Sequence, residues 1–220
     1  MELSDRYLTF DCYGTLIDWR TGIEKGLRST LGDIPFTGQE LVNAYMAAEK
    51  DEESTYRKYR EVLARAAKTL STKFGLEVSD AKANEFAASV PNWPAFPDTV
   101  QFLKRAGSLG FKRFVLSNVD NDLLEQTISE QKLEVDGYVT AEQVGSYKPN
   151  PGHWVEFLRR TGARKEDELH VAQSLFHDVL PTQRLGIKSA WVNRYAERLP
   201  SEASPSMISD NLGNLGETLG

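Results

Sequence analysis

Each of four short apolar runs in this sequence is followed by polar side chains of the kinds that carry covalent catalysis. In chain order these residues are Asp11, Ser117, Asn118, Lys148 and Asp178. An ionised carboxylate can attack an electrophilic carbon and form an ester, and a second carboxylate can take a proton from water in the next step. Taken singly, each residue is also explained as a helix cap or a loop residue. The whole set in this order predicts a nucleophilic active site.

Segments of helical periodicity separate the apolar runs, which predicts strands that alternate with helices. The predicted strands are residues 7–10, 114–116, 137–140, 169–172 and 189–192. Alternation of this kind is typical of a parallel sheet wound on both faces. We therefore predict an α/β fold with a doubly wound, Rossmann-like parallel sheet. The carboxyl ends of its strands form one edge, where open α/β sheets bind their ligands.

A long helical stretch interrupts this alternation directly after the first strand. Thr21 with Glu24 forms a capping-box pattern that predicts one helix start, and Thr37 with Glu40 predicts another. Apolar residues then recur at helical spacing over residues 56–70, with charged residues between them. The stretch therefore predicts an all-helical insertion.

The end of the insertion is marked by prolines. Three prolines within residues 91–97 exclude a continuous helix there and predict a domain boundary. We predict a hydrolase core made of residues 1–17 and 92–220, and an all-helical cap made of residues 18–91. Because the cap leaves the sheet at the ligand-binding edge, we expect it to act as a lid.

Composition excludes several classes of protein. The 220-residue chain carries a formal net charge of −6, which argues against a nucleic-acid partner, since such partners need a basic surface. The one cysteine, Cys12, excludes an internal disulfide framework and a multi-cysteine zinc site. No apolar run is long enough to cross a bilayer, so we expect no membrane partner. The acidic first six residues do not form a signal peptide, which favours a cytoplasmic location.

The motifs together resemble those of the haloacid dehalogenase superfamily. In that pattern an aspartate nucleophile follows the first strand, and a serine or threonine follows the second strand. A lysine forms the third motif, and an acidic residue forms the fourth motif. The matching residues here are Asp11, Ser117, Lys148 and Asp178. The L-2-haloacid dehalogenase (type II) branch is the most similar, through residues 10–16, 116–118 and 146–150. An azetidine-2-carboxylate hydrolase of the same branch is also similar, through residues 92–99 and 174–178.

This resemblance implies a reaction at carbon through an aspartyl ester. The implied catalytic residues are Asp11, Thr15, Ser117, Asn118, Lys148 and Asp178. Asp11 would attack the carbon, and the neighbouring Lys148 would lower the pKa of that carboxyl. The hydroxyls of Thr15 and Ser117 would orient the nucleophile. The side-chain amide of Asn118 would donate to the leaving group. Asp178 would position the hydrolytic water, with the adjacent His177 as a rival for that role.

A second set of residues lies beside these motifs and is predicted to contact the substrate. Its members are Cys12, Tyr13, Arg20, Trp93, Phe96, Trp154, Ser174 and His177. The arginine that the resemblance implies near residues 45–49 is missing, and Arg20 is one candidate replacement. The Cys12 thiol is an alternative nucleophile. Its side chain is nevertheless expected to point away from Asp11, because side chains alternate along a strand, so packing is the favoured interpretation.

Two positions separate this chain from the phosphatases of the same superfamily. Those enzymes carry a second acid two residues after the nucleophile and present a fourth-motif acid to Mg²⁺. Here the corresponding residues are Tyr13 and Gln173. The second acid protonates the leaving oxygen, and Tyr13 has no acid suited to that task at neutral pH. The neutral amide of Gln173 is a poor replacement for the carboxylate oxygen that Mg²⁺ prefers. We therefore predict no metal and no cofactor.

The function predicted from these residues is a metal-independent hydrolase of a small 2-substituted carboxylic acid, similar to a 2-haloacid dehalogenase. Three alternatives stay open: a superfamily phosphatase with an eroded Mg²⁺ site, a ring-opening hydrolase of the azetidine-2-carboxylate type, and a non-catalytic binding protein. The expected partner is the small carboxylic acid itself. The resemblance also makes a homodimer possible.

Overall fold

A parallel sheet organises the chain in the computed structural model, which describes residues 6–32, 34–53 and 55–219. Within those residues the sheet has six strands in the order β3-β2-β1-β4-β5-β6, and every neighbouring pair is parallel. The strands are β1 (Arg6–Phe10), β2 (Phe111–Ser117), β3 (Gly137–Thr140), β4 (Glu168–Ala172), β5 (Lys188–Val192) and β6 (Met207–Ser209). The predicted α/β class and Rossmann-like sheet are confirmed. The three-residue β6 escaped prediction because it is too short to show a period.

Helices connect the strands. They are α1 (Trp19–Leu31), α2 (Gly38–Glu52), α3 (Tyr59–Lys73), α4 (Asp80–Ala88), α5 (Thr99–Ser108), α6 (Asn121–Glu130), α7 (Ala141–Val144), α8 (Gly152–Thr161), α9 (Leu180–Leu185) and α10 (Leu212–Thr218). None of the described helices has the length and apolar character needed to span a bilayer. The predicted absence of a signal peptide falls mostly on residues 1–5, which lie outside the described residues.

Side-chain caps fix two of the helix starts. The capping box of Thr37 and Glu40 opens α2 as predicted. The start predicted at Thr21 is wrong, because Asp18 caps α1 instead. The carboxylate of Asp18 accepts from the Thr21 backbone N–H at 3.2 Å and from the Thr21 hydroxyl at 2.6 Å. A carboxylate one turn earlier therefore moves the helix start to Trp19.

The chain divides into two units. The sheet unit consists of the chain up to Ile17, Ala95–Asn118 and the chain from Lys132 onward. The helical unit consists of Asp18–Pro94 and Val119–Gln131. The helical unit thus takes in residues 92–94 and helix α6 in addition to the predicted cap of residues 18–91. The cap boundaries and the lid role stay predictions.

Aromatic and aliphatic side chains form the core of the sheet unit on both faces of β1. One face carries a buried cluster of Tyr7, Leu116, Val139, Trp154, Phe157 and Ile187. On the other face Phe10 meets Phe102 of α5 edge to face, with ring centroids 5.9 Å apart. Burial of this apolar surface stabilises the sheet and fixes which side of each strand faces α8 or α5.

The helical unit has its own core. Tyr45 of α2 packs edge to face on Phe86 of α4 at 5.9 Å. The apolar stripe of α3 is buried as predicted, except at its first position. Helix α3 begins at Tyr59, and Tyr56 lies before it with 37% of its surface exposed. The helical stripe predicted over residues 56–70 therefore begins at Tyr59 and does not include Tyr56.

Candidate active site

The turn after β1 places Asp11 at the carboxyl end of the central strand. The Asp11 backbone N–H still donates to Val171 in β4, at 3.1 Å. The next carbonyl, that of Cys12, accepts from the N–H groups of Thr15, Leu16 and Ile17, at 3.3, 2.8 and 3.0 Å. Gly14 has a φ of 108°, a backbone conformation that other residues rarely adopt. The turn therefore depends on glycine at this position.

The ammonium group of Lys148 lies between two carboxylates. Its Nζ atom is 2.9 Å from Asp11 Oδ1 and 2.7 Å from Asp178 Oδ1, and it also donates to the Leu116 carbonyl at 2.9 Å. The Lys148 and Asp178 side chains are 1% and 0% exposed, while 12% of the Asp11 side chain is exposed. Three residues from different parts of the sequence thus form one buried ion cluster, of which Asp11 has the most contact with solvent.

The charges in this cluster set distinct proton affinities. Burial raises the pKa of Asp11 above its usual range; Lys148 opposes this shift and Asp178 adds to it. Lys148 thus lowers this pKa as predicted, but desolvation outweighs the ion pair, so the net shift is upward. Burial also acts to raise the pKa of Asp178, but Lys148 and a hydrogen bond from His170 hold it well below its usual range. For Lys148, burial lowers the pKa and the two carboxylates raise it by more.

Thr15 and Ser117 differ in their contacts with Asp11. The Thr15 hydroxyl donates to Asp11 Oδ2 at 2.8 Å, and it accepts from the Gln173 backbone N–H at 2.9 Å. Ser117 is buried, and its Oγ has no hydrogen-bond partner among the described groups. The structure thus contains the predicted hydrogen bond from Thr15 and lacks the one predicted from Ser117.

Asn118 holds the backbone of Lys148. Its side-chain oxygen accepts from the Lys148 N–H at 2.7 Å, and its amide donates to the Lys148 carbonyl at 3.1 Å. This paired contact joins the end of β2 to the loop before α8. Donation from Asn118 to a leaving group stays a prediction. The role that the structure shows is to position Lys148.

Asp178 is not the helix cap that its sequence position allowed. It lies inside a π-helical turn, Leu175–Val179, whose cap is Ser174. The Ser174 hydroxyl accepts from the His177 N–H at 3.0 Å and is 3.2 Å from His177 Nδ1. The wider turn directs Asp178 inward, and burial lowers the pKa of His177. Substrate contacts of Ser174 and His177 stay predictions.

Sequence reasoning missed His170, which contacts Asp178 directly. His170 Nε2 is 2.9 Å from Asp178 Oδ1, and neither side chain is exposed. The second oxygen of Asp178, Oδ2, has no hydrogen-bond partner among the described groups. A histidine on the otherwise apolar second half of β4 was the available signal.

Cys12 is fully buried. Burial raises the pKa of its thiol well above the usual range, and the neighbouring Asp11 charge adds to the effect. A thiol held in its protonated form is a poor nucleophile, so the packing interpretation is favoured over a catalytic one.

Replacing Cys12 with alanine is expected to leave the catalytic rate constant within about threefold, because no reacting atom is lost. In the unaltered protein, a thiol reagent at pH 8 is expected to label Cys12 only after unfolding in urea. Intact mass before and after unfolding measures the labelling. A native thiol that reacts as fast as free cysteine, together with an inactive alanine variant, would restore the thiol as a nucleophile.

Arg194, also missed, holds the turn after Asp11 in place. Its guanidinium donates to the Thr15 carbonyl at 2.8 and 3.0 Å and forms a paired contact with Asp98 at 3.0 and 3.2 Å. It lies 3.8 Å above the Phe96 ring. Phe96, predicted to line a substrate pocket, therefore supports this arginine in the structure.

Gln173 stands at the position where a superfamily phosphatase has a Mg²⁺ ligand, and it makes other contacts here. The Gln173 side chain donates to Glu197 at 3.1 Å, and its backbone carbonyl accepts from the Trp191 indole at 2.8 Å. Across the described residues, no group of three or more His, Cys, Asp or Glu side chains is arranged to hold a metal ion. The residues present do not fit a Mg²⁺ site.

Four predicted substrate contacts lie in varied surroundings. Tyr13 is half-buried in the turn after Asp11. Trp154 is completely buried in the apolar cluster, where its ring meets His170 edge to face at 5.3 Å, so it belongs to the core and not to an open pocket. Arg20 and Trp93 belong to the helical unit, where the Trp93 indole donates to Ser89 at 3.2 Å. Contact of Tyr13, Arg20 and Trp93 with a substrate stays a prediction.

Comparison with known proteins gives matches across most of the chain. The family model for haloacid dehalogenase-like hydrolases matches residues 6–179. The chain is 25% identical to (S)-2-haloacid dehalogenase 1 of Pseudomonas sp. (strain CBS-3), covering 96% of this chain and 94% of that protein. It is also 25% identical to a glyceraldehyde 3-phosphate phosphatase of Methanopyrus kandleri, covering 70% of this chain and 72% of the relative.

Solved structures show the same fold. The L-2-haloacid dehalogenase of Xanthobacter autotrophicus, solved with chloropropionic acid covalently bound, superimposes with a TM-score of 0.86. The two chains are 19% identical, and the match covers 98% of each. At this level of identity the likeness establishes the fold and leaves the substrate open.

Proposed function

Because this chain belongs to the haloacid dehalogenase-like hydrolase family, we propose that it is a metal-independent hydrolase that attacks carbon in a small 2-substituted carboxylic acid. The observation that carries the proposal is the Lys148 ammonium, 2.9 Å from Asp11 and 2.7 Å from Asp178. It stabilises a carboxylate nucleophile and a carboxylate base in one buried cluster. A dehalogenase with the same fold that binds chloropropionic acid covalently supports this chemistry.

In the first step one Asp11 oxygen attacks the carbon that carries the substituent. A carbon–oxygen bond forms, and the bond to the leaving group breaks, so that the substituent departs with its electron pair. Thr15 and Lys148 hold the two oxygens of Asp11, which orients the carboxylate. Burial leaves this nucleophile poorly hydrated, and less water must be displaced before attack.

In the second step water hydrolyses the ester. The water oxygen attacks the carbonyl carbon of esterified Asp11 while a water proton moves to Asp178 Oδ2, which has no other partner among the described groups. The bond between the carbonyl carbon and the substrate oxygen then breaks, and the product alkoxide takes the proton from Asp178. Asp11 loses its remaining proton to solvent. Each turnover replaces the substituent with a hydroxyl and releases one proton.

A superfamily phosphatase is the second candidate, because one relative with 25% identity is a phosphatase. Against it, Tyr13 replaces the acid that would protonate a leaving oxygen, and the Gln173 amide is bound to Glu197. No step of the proposed reaction passes through a metal. The azetidine-type ring opening would use the same two steps, with a ring nitrogen as leaving group. The predicted homodimer and cytoplasmic location stay predictions.

Substrate assays and a labelling experiment in heavy-oxygen water test the proposed function. Both enantiomers of 2-chloropropionate, azetidine-2-carboxylate and a panel of phosphate esters are assayed with and without a chelator. We expect chloride and 2-hydroxypropionate in equal amounts from one enantiomer at least, unchanged by chelator. During a single turnover in H₂¹⁸O, the peptide that contains Asp11 should gain the heavy oxygen, because water attacks the ester carbonyl.

Each other outcome identifies an alternative. Phosphate release that requires Mg²⁺ identifies the phosphatase, and ring opening without halide release identifies the azetidine-type enzyme. Heavy oxygen that enters the product and never Asp11 overturns the ester mechanism. A protein that binds these acids without any adduct or product is a binding protein.

A further inference from the structure

A row of buried polar side chains runs behind Asp178 on the face of the sheet that α8 covers. Thr9 Oγ1 is 2.6 Å from Glu168 Oε1 and 2.8 Å from His170 Nδ1, and His170 Nε2 is 2.9 Å from Asp178 Oδ1. Each of these four residues is at most 1% exposed. The proposed reaction uses Asp178 and gives the other three no role. Polar groups in such a core destabilise it unless their hydrogen bonds are complete.

The sheet register brings these groups together. Thr9 of β1 is paired with His170 of β4, so their side chains emerge side by side on the same face. Glu168 lies two residues before His170 and therefore on that face too. Helix α8 packs the Trp154 ring against His170 at 5.3 Å. The four side chains are buried, and each link between them is a hydrogen bond only if it contains a proton.

Further polar and charged residues lie near His170. Lys148 donates to the same Asp178 oxygen that His170 contacts, at 2.7 Å. His153 of α8 is neutral, because burial and the Lys148 charge lower its pKa to about 3. Its Nε2 faces the Ser117 carbonyl at 3.0 Å. On β5, the residue paired with His170 is Ser189, which carries no charge.

Counting protons leaves few states for the row. A hydroxyl has one proton, so Thr9 can donate to Glu168 or to His170 but not to both. If Glu168 is protonated, it donates to Thr9, Thr9 donates to Nδ1, and a neutral His170 donates from Nε2 to Asp178. If Glu168 is ionised, Thr9 donates to it, and His170 must donate from both nitrogens as imidazolium. Both states fill all three links with the same number of protons.

Other placements of the protons are unfavourable. An ionised Glu168 with a neutral His170 leaves two acceptors facing each other at one link, unless Asp178 is protonated. The proton on Asp178 Oδ1 would compete with Lys148, which donates to that oxygen. Burial raises the pKa of Glu168 to about 7, which makes its protonated form accessible near neutral pH.

We propose that Glu168, Thr9 and His170 form a proton-sharing relay that positions Asp178 for ester hydrolysis. The relay holds one proton that moves between Glu168 and His170, so that His170 presents an N–H group to Asp178 Oδ1 in both states. His170 and Lys148 together occupy Oδ1, which leaves Oδ2 for the proton of the hydrolytic water. With the shared proton on Glu168, the imidazole is neutral and Asp178 is the stronger base. The catalytic part of this inference rests on the proposed function, and the proton-sharing part does not.

A measurement without substrate tests the proton sharing. The ¹⁵N chemical shifts of the His170 ring are assigned by their loss in His170→Gln, and are then compared between the unaltered protein and Glu168→Gln. In that variant the amide donates to Thr9 and fixes His170 as the neutral Nε2–H tautomer. We expect shifts between the imidazolium and neutral values in the unaltered protein, and neutral values in the variant. The control is Glu166→Gln, at an exposed acid before β4, which should match the unaltered protein.

A double substitution shows whether the hydroxyl transmits the effect. In a Thr9→Val background the link is broken, so adding Glu168→Gln should leave the His170 shifts unchanged. Equal shifts in the unaltered protein and in Glu168→Gln would overturn the relay. An effect of Glu168→Gln that persists in full without the Thr9 hydroxyl would also overturn it.

A kinetic measurement tests the positioning of Asp178. In His170→Phe, formation of the Asp11 ester should stay within about threefold, and its hydrolysis should slow by about tenfold to a hundredfold. The ester should then accumulate and be visible by mass spectrometry. His170→Gln, which can still donate to Asp178, should recover most of the hydrolysis rate. Equal slowing of both steps, without recovery in His170→Gln, would assign His170 a purely structural role. If no protein form ever shows an ester, the proposed function fails, and the ring shifts still decide the relay.

Discussion

Replacing Asp11 with asparagine is expected to lower 2-haloacid turnover by about a millionfold, the scale of loss when a covalent nucleophile is removed. A neutral amide oxygen does not displace a halide at a useful rate. The local geometry adds to the loss. Lys148 and Thr15 each donate to a different Asp11 oxygen. Asparagine has one acceptor oxygen, so its NH₂ group must face one of these two donors.

Product formation by purified Asp11→Asn is measured against Asp210→Asn, which alters an exposed acid after β6. The control should retain full activity, and circular dichroism should show that both variants fold. Intact mass identifies any asparagine that has reverted to aspartate during the assay. Full turnover by a variant that remains asparagine would place the nucleophile elsewhere.

Replacing Lys148 with methionine is expected to reduce both stability and ester formation. It leaves Asp11 and Asp178 as buried acids without their shared cation, and breaking a buried ion pair in this way costs about 3–5 kcal/mol in the free energy of unfolding. Ester formation should fall by at least about a thousandfold, since the nucleophile is then protonated or misplaced. Urea unfolding and single-turnover ester formation measure the two effects. Lys104→Met, at an exposed lysine, is the control.

The stability loss in Lys148→Met should depend on pH. In the unaltered protein the pKa of Asp178 is depressed, so its contribution to stability is present above the unfolded pKa of about 4 and is lost as pH falls through the folded value. Without Lys148, the hydrogen bonds from Thr15 and His170 are left to oppose burial, and we expect the pKa of both acids to rise. A raised folded pKa gives stability that is present below the unfolded value and lost as pH rises. The free energy of unfolding of Lys148→Met should therefore be closer to that of the control at pH 4 than at pH 7. An equal difference at both pH values would mean that the loss of Lys148 leaves the protonation of the two folded-state carboxylates unchanged.

Local patterns predicted most of the elements, because each depends on residues close in sequence. Thr37 and Glu40 are three residues apart and cap α2 as their spacing indicated. The apolar runs became strands β1 to β5, since a short buried run bounded by turn residues has few other stable conformations. The start of α1 shows the limit of this reasoning. Both the Asp18 carboxylate and the Thr21 hydroxyl could cap a helix there, and the sequence did not decide between them.

The types and order of Asp11, Lys148 and Asp178 were enough to propose the chemistry, and a parallel sheet explains why they meet. The net shift of the Asp11 pKa could not be predicted, because it is the difference between desolvation, which raises this pKa, and the ion pair with Lys148, which lowers it. Burial is a property of the packed structure. The hydrogen bond expected from Ser117 and the pocket role expected for Trp154 failed for the same reason: side-chain direction follows from packing against other elements.

By itself the sequence determined the alternation of strands and helices, the insertion after β1 and the set of charged groups at the strand ends. These follow from periodicity, turn residues and the order of residue types along the chain. Only the tertiary structure decided that Glu168, Thr9 and His170 stand in line behind Asp178. Residues 9 and 170 are 161 positions apart, and they become neighbours through the register of β1 on β4. No local pattern encodes that register, because it is set by how the whole sheet buries its apolar faces.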